Sequence, residues 1–553
     1  MRGIEMRSIG ELGASRRQFL AGTLGLGATA VLAACGAGGG SGSGGVGAKK
    51  LVTAWPADVT TLDPAVAASS QDWEIAFNVY ERLVSPKWIT GKDGTLTWDG
   101  LKIEPQLAEF TMEKDTTTFT IREGAKFHPT GNPVTADDVV YTLERTFALG
   151  RSGPLNGAGI QSMDQVSKVD ERTVKINFLD YDGKPINANL YLLAVFREPP
   201  MGILDSVEVK KHVTPSDKTG SEWLKNNVAG SGPYFIEHRT PGSEIQLSAV
   251  PGYAPKPAYY GATIQVIGTG SVLSLLKGGS INFAVYGLTP SDVESVSSSP
   301  NLSVIYAKAP EFTLLELGTN GGPFADQAVR QAVGYTLPYD DIINSVYKGK
   351  ATRIDSYVIE GANGYTPAWA KYQTDIGKAT DLMRQAGNPK VTVPLHFLNS
   401  DPQMQDTAIL IKSNAAKAGI EFVLSPKTPA AFQDLITQRA TRGQGSPDAL
   451  LIKWGSWIDD PATPVGYYTT TGGTNQYSMW TNPEVDKISK EQTFADLTPE
   501  RAAAYKRAQE IVADAAPLFP IVQAQRPGVL AKGITGMSFS PEMALRYWTL
   551  KPA

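Results

Sequence analysis

The sequence predicts an α/β protein mixed with α+β, divided into more than one lobe. Three observations carry that expectation. Short β-branched and aromatic runs alternate with stretches of helical period. No segment recurs at a fixed interval, which excludes solenoids and propellers. And about 500 residues follow a Gly/Ser-rich leader, more than one core usually serves.

The chain opens with a segment that does not belong to this fold. From Phe19 to Ala34 there is no charged side chain, but the stretch falls short of the roughly 20 residues needed to cross a bilayer. With Arg16 and Arg17 before it and small residues at its end, it reads as a signal peptide over 1–34. Ser15 to Leu20 resembles the twin-arginine export signal, with Ala21 where lysine is usual. Leu32-Ala33-Ala34-Cys35 resembles a lipobox, making Cys35, the sole cysteine, the lipidation site. A diacylglyceryl group brings the two acyl chains that stable anchoring requires. Residues 35–49 are then a Gly/Ser linker, a flexible coil spanning roughly 20 Å. The Gly40-x-Gly42-x-x-Gly45 spelling inside it has no flanking strand or helix and is composition only. The expected location is the extracytoplasmic face of a bacterial membrane.

The first strand is Leu51 to Trp55, followed by a helix from Trp73 to Leu83 with Ile75, Ala76, Val79 and Leu83 on one side. Thr118 to Arg122 reads as a strand. Thr135 caps a helix with Asp137 and Asp138 in its positively polarised first turn and Val139, Val140, Leu143 and Phe147 as its stripe. Leu190 to Phe196 has the length of a buried strand. Thr498-Pro499-Glu500 opens a late helix that Pro517 ends.

Charge and motif content narrow the function. Without residues 1–34 the chain carries 47 basic against 53 acidic side chains, so no nucleic-acid partner is expected. No Gly-x-Ser-x-Gly, phosphate loop or His-Glu-x-x-His is present. The four histidines, His128, His212, His238 and His396, lack ligand spacing. The expectation is no catalytic residue, no protein-held metal and no cofactor; a secreted hydrolase is the remote alternative.

Several segments carry a resemblance. They are Thr61-Leu62-Asp63-Pro64, Val79-Tyr80-Glu81-Arg82-Leu83-Val84, Pro105 to Glu109, Ile121 to His128 with Asn132 to Val140, Gly230-Ser231-Gly232-Pro233-Tyr234, Pro323 to Ala332, Ala418-Gly419-Ile420 and Asp514 to Pro517. In this order they resemble the extracytoplasmic solute-binding proteins of family 5, which include oligopeptide, dipeptide and nickel receptors of ABC importers. The resemblance implies a type II (cluster C) periplasmic-binding-protein-like clamp. Lobe I would take 50–310 with an inserted subdomain at about 84–220, lobe II 311–520, and 521–553 would return to lobe I. A solute held between lobes favours closure through its differential contacts.

The resemblance also implies ligand-facing residues. Lys453-Trp454-Gly455-Ser456-Trp457-Ile458-Asp459-Asp460-Pro461 is similar to the family's cleft loop. Peptide-binding members have an aspartate four residues before that proline, and here the position is Trp457; Asp459 substitutes if the loop is shifted. Trp454 and Trp457 offer rigid surfaces for stacking. Trp55 and Tyr80 flank the Thr61 to Pro64 loop, and Phe312 and Asn320 fall near the lobe crossing. Asp63 reads as a turn cap and Arg330 as a solvated or interlobe ion pair. The resulting expectation is a lipid-anchored, monomeric receptor for an oligopeptide or dipeptide, with permease and ATPase subunits as partners. A nickel, metallophore or oligosaccharide receptor is the alternative.

Overall fold

The computed structural model describes residues 50–553 except 93, 129, 269, 443–446, 456–457, 541 and 543. The signal peptide with Arg16 and Arg17, Cys35, the linker 35–49 and Trp457 lie outside the described residues. Residues from Ala48 onward form a compact unit.

Strand β1 (Lys50–Trp55) starts the fold, and its inward side chains Leu51 and Trp55 are wholly buried. The first helix runs only from Ser70 to Val79, where the sequence predicts Leu83. It begins in a Ser69/Asp72 capping box. It stops because the Val79 carbonyl accepts from the Gly232 amide at 3.0 Å, while Tyr80 turns extended. A Cβ at Gly230 or Gly232 would sit 2.1 or 2.5 Å from Val79 backbone atoms. The Gly230-Ser231-Gly232 spelling is thus a close backbone approach.

Next come the hairpin β2 (Val84–Thr90) and β3 (Leu96–Pro105), and a four-stranded antiparallel sheet. The sheet holds β4 (Ala108–Met112), β5 (Thr116–Ile121), β6 (Val166–Lys168) and β7 (Thr173–Asn177) in the order β4-β5-β7-β6. The Thr135 helix runs over Ala136–Ala148 as expected, and Asp138 does more than meet the dipole, accepting from the Thr135 amide at 2.8 Å in a capping box. Leu190 to Phe196 departs from expectation, being one helical turn, Leu190–Leu193, run into a 3₁₀ turn. Asn189 caps it by accepting from the Leu192 amide, and burial on all sides, not a strand, explains its unbroken apolar run.

Strands β8 (Tyr234–Thr240), β9 (Glu244–Ala249) and β10 (Gly261–Val266) complete a sheet ordered β1-β10-β9-β8, with β1 parallel to β10. The remaining strands are β11 (Phe283–Ala284), β12 (Leu302–Leu317), β13 (Ala351–Arg353), β14 (Val391–Leu398), β15 (Ile420–Lys427), β16 (Ala449–Gly455) and β17 (Leu518–Ala531). They form one sheet ordered β11-β17-β12-β16-β14-β15, with β13 beside β17. Strands β12 and β17 cross the molecule together, antiparallel along nearly their whole length. The ladder shifts register between Lys308 and Phe312.

The cores follow this division. One cluster unites the β1-β10-β9-β8 region with the C-terminal residues Leu530 to Leu550. Another joins the inserted subdomain to the second half of the chain, from Leu83 and Phe196 to Trp369 and Phe519. Buried ion pairs tie elements distant in sequence. Arg145 forms a two-pronged pair with Asp63, and Arg501 donates to both oxygens of Asp460 at 2.9 and 2.7 Å. Asp63 also accepts from the Ala65 amide, so it caps its turn and holds a charge together. Among the described residues Arg330 forms no ion pair of the kind expected: its guanidinium donates to the carbonyls of Ala515, Phe324 and Ala325. These assignments give the α/β two-lobed clamp with an additional subdomain.

Candidate functional site

A cavity of about 690 Å³ lies where β12 and β17 cross, within the range of roughly 300–1,000 Å³ usual for small-molecule sites. Its walls come from both halves of the chain. Tyr286 and Glu294 precede the crossing, Tyr306, Phe312 and Arg526 belong to it, and Tyr347, Lys350 and Lys453 follow.

Local structure positions these groups. The shifted ladder between Lys308 and Phe312 opens the backbone beside the cavity, and the Gln523 amide fills the gap by donating to the Ala309 carbonyl. Tyr286 packs edge-on against Trp55, ring centroids 6.1 Å apart, and donates its hydroxyl to Glu74 at 2.7 Å. Burial pushes the Glu74 carboxyl up against the opposing hydrogen bonds of Tyr547 and Tyr286. Lys453 faces Thr313 across the ladder and donates to Asp401 at 2.5 Å and to Gln403 at 3.1 Å. Burial disfavours its ammonium, yet Tyr347, Asp401 and Glu311 outweigh that and raise its pKa.

The lining is basic and aromatic. Lys348, Lys350, Lys453 and Arg526 outnumber Glu294 and Glu311. The Lys350 ammonium lies 4.7 Å from the Tyr306 ring centre and the Arg526 guanidinium 5.0 Å from that of Tyr286. Such walls suit a solute with a carboxylate and apolar or aromatic substituents.

The residues expected to face ligand are placed apart from one another. Phe312, 2% exposed, lines this cavity and a smaller one of about 150 Å³. Trp55 is fully buried behind Tyr286. Tyr80 is buried and donates its hydroxyl to the Leu62 carbonyl at 3.0 Å. Asn320 is exposed past the end of β12. Trp454 lines a third cavity, of about 90 Å³, with Tyr191, Glu198 and Tyr467. Asp459 is buried and accepts from the Trp98 indole, joining the second half of the chain to the subdomain, and burial raises its pKa. Sequence reasoning passed over Tyr286, Tyr306, Tyr347 and Lys350. One signal for them was legible: Tyr347-Lys348-Gly349-Lys350 sets an aromatic and two lysines around a turn, with φ of 52° at Lys348 and 74° at Gly349.

Known proteins share this architecture. The chain is 26% identical over 499 residues to the "Probable D,D-dipeptide-binding periplasmic protein DdpA" of Escherichia coli (strain K12), covering 89% of this chain and 92% of the relative. Among solved structures it is similar to the ABC transporter substrate binding protein CtaP from Listeria monocytogenes. That match has a TM-score of 0.78 and 20% identity, over 91% of this chain and 99% of that one. It is likewise similar to a dipeptide binding protein from Pseudoalteromonas sp. SM9913 in complex with Met-Leu, TM-score 0.75 and 18% identity, over 91% and 100%. The profile described as "Bacterial extracellular solute-binding proteins, family 5 Middle" matches residues 102–476, well over half the chain. With that match and the two-lobed architecture together, the chain belongs to the bacterial extracellular solute-binding proteins of family 5.

Proposed function

We propose that this protein captures a peptide or similar small solute in the 690 Å³ cavity and delivers it unaltered to the permease of an ABC importer. The observation that carries the reading is a chamber walled from both sides of the β12–β17 crossing, so that a guest touching both walls favours the closed arrangement. The names of the relatives support peptides as the guest class: D,D-dipeptides for DdpA and Met-Leu in the Pseudoalteromonas complex. The excess of lysine and arginine fits a peptide's terminal carboxylate.

In this reading lobe I is 50–310, including the subdomain at about 84–220, lobe II is 311–520, and 521–553 return to lobe I. The register shift between Lys308 and Phe312 supports the first boundary. β17 keeps pairing with the second-half portion of β12 as far as Gln523, which supports a return within that strand. Arg16, Arg17 and Cys35 supply export and a lipid anchor outside the cytoplasm, and no reacting constellation is required.

The test is calorimetric titration of the protein with a panel of dipeptides to pentapeptides, alongside mass spectrometry of whatever leaves the protein on unfolding. A saturable peptide recovered intact, with binding weakened by Lys453→Ala and Phe312→Ala, is expected. Peptides that do not bind, or that emerge hydrolysed, would overturn the proposal; a nickel chelate or sugar in the mass spectrum would redirect it to those guests.

A further inference from the structure

The 90 Å³ cavity is lined by a buried carboxyl, Glu198, that the fold answers only in part. Glu198 is 2% exposed and lines this cavity, and among the described residues neither of its carboxylate oxygens has a hydrogen-bond donor. A buried carboxylate left in that condition is costly. Arg197 is the nearest cation, its Nε 3.9 Å from Oε1, beyond hydrogen-bonding range, and 3.5 Å from Glu542. Arg546 donates to Glu542 at 2.9 Å and to the Ala544 carbonyl at 2.7 Å. Arg82 stacks on Phe77 with its guanidinium 4.0 Å from the ring centre. Arg546 and Arg82 are thus turned to other groups, and Arg197 is shared between Glu198 and Glu542.

The remaining walls are aromatic and apolar. Tyr191 and Val195 come from the subdomain, Trp454, Ile458 and Tyr467 from the second half of the chain. The Tyr191 hydroxyl is engaged with Thr463. A primary ammonium brings three donors and would find acceptors chiefly at Glu198. An N-alkylated ammonium brings few or none, and its positive surface is attracted to aromatic faces. The volume exceeds the roughly 30 Å³ that one water takes up in the liquid, yet is far below that of the large chamber. It has the size of a head group, not of a whole solute.

We propose that this cavity is a subsite for an N-alkylated, permanently or nearly permanently cationic ammonium group of a solute, with Glu198 as countercharge and Trp454, Tyr191 and Tyr467 as walls. The inference rests on the capture reading for enclosure of the guest between the two sides, and not on the guest being a peptide. In the empty site burial, reinforced by Glu542 against Arg197, Arg546 and Arg82, raises the Glu198 pKa well above the ordinary carboxylate value. The Tyr467 phenol, itself raised by burial, faces the same carboxyl. A guest cation favours the ionised carboxylate, so its uptake drives out to solvent the proton that the buried carboxyl holds.

The experiment titrates the full chain with choline and with its uncharged isostere 3,3-dimethyl-1-butanol, by calorimetry in two buffers of different ionisation enthalpy. Choline is expected to bind at least about tenfold tighter, equivalent to ~1.4 kcal/mol, and to release a proton. Glu198→Gln should erase both the preference and the release. Should that variant not fold, Tyr467→Ala, at a side chain 38% exposed, should still weaken choline while leaving the melting temperature unchanged. Equal affinity for the two compounds, no binding of either, no proton release, or an unchanged preference in Glu198→Gln would each overturn the proposal. Peptide titrations on the same samples separate the two readings. Choline binding without peptide binding sinks the peptide assignment alone, and the reverse sinks this subsite alone.

Discussion

Replacing Asp63 with Asn tests how the first loop is held. The Asp63 and Arg145 side chains are 0% and 1% exposed, and the guanidinium reaches both carboxylate oxygens. Asparagine keeps the shape and, through its one oxygen, both the cap on the Ala65 amide and the bond from Arg145 Nη1. It turns an NH2 toward Arg145 Nη2, however, and leaves the buried guanidinium without a countercharge, its other acceptors being the Thr219 carbonyl and the Ser221 hydroxyl. Removing one partner of such a pair costs about 3–5 kcal/mol. At an unfolding entropy near 2.1 cal/mol/K per residue, a cooperative unit of roughly 500 residues would lose about 3–5 °C in melting temperature. Urea unfolding followed by tryptophan fluorescence measures the free energy directly. The decisive comparison is the double variant Asp63→Asn/Arg145→Met, in which no charge is stranded. It should be more stable than Asp63→Asn alone, because taking both charges out of an apolar interior is often neutral or favourable. A single variant within about 0.5 kcal/mol of the parent, or a double variant as unstable as the two singles added, would refute the account.

Three further outcomes follow from other elements. Glu316 is wholly buried, and burial raises its pKa to about 8 in spite of hydrogen bonds from the Tyr477 and Ser478 amides. The folded state therefore holds a proton that the unfolded chain has lost above its ordinary value of 4.5. Stability should fall as pH rises from about 5 to 8, by up to ~1.4 kcal/mol per unit. Glu316→Gln should flatten that slope in urea titrations, and an identical slope in the two proteins would count against it. Gly232→Ala places a Cβ 2.5 Å from the Val79 carbonyl carbon. Rigid backbone on both sides should make it cost more than the ~1 kcal/mol of an average substitution, read as a lowered urea midpoint. Trp98→Phe removes the donor to Asp459 that links subdomain and second half. It should leave the unliganded protein more open, with a larger radius of gyration in solution scattering, and an unchanged radius would dismiss the contact as a latch.

Much of the fold was legible because it depends on local chemistry. The Thr135 start and the Thr498-Pro499 start mark helix ends by interactions made within one turn, and both helices begin where the sequence places them. The misreadings share a cause in long-range contacts. The first helix ends at Val79 because Gly232, far along the chain, takes up its carbonyl. Leu190 to Phe196 folds as helix because a segment surrounded by apolar neighbours shows no period to distinguish the two conformations. The candidate site was less readable still. Phe312 was singled out, but the walls around it are Tyr286, Tyr306, Tyr347 and Lys350, assembled by strands whose pairing spans the whole chain, and Trp454, singled out with it, lines a different cavity. Nothing in the sequence marks Glu198, ahead of Pro199 and Pro200; only three-dimensional packing reveals it as enclosed and without a hydrogen-bond donor among the described residues.

The joined course of β12 and β17 has a mechanical corollary. Two independent tethers would let the halves twist, slide and swing, and a guest would have to quench every one of those freedoms. Here the tethers are laced to each other on either side of a short interruption at Lys308 to Phe312, with a one-residue shift close by between Thr313 and Leu314. A laced ribbon bends readily about one axis and resists the others. The jaw therefore travels along one coordinate, little orientational entropy is lost when it shuts, and modest contacts suffice to tip the balance. Whatever reads the outer face needs to sense a single angle to know whether cargo is aboard.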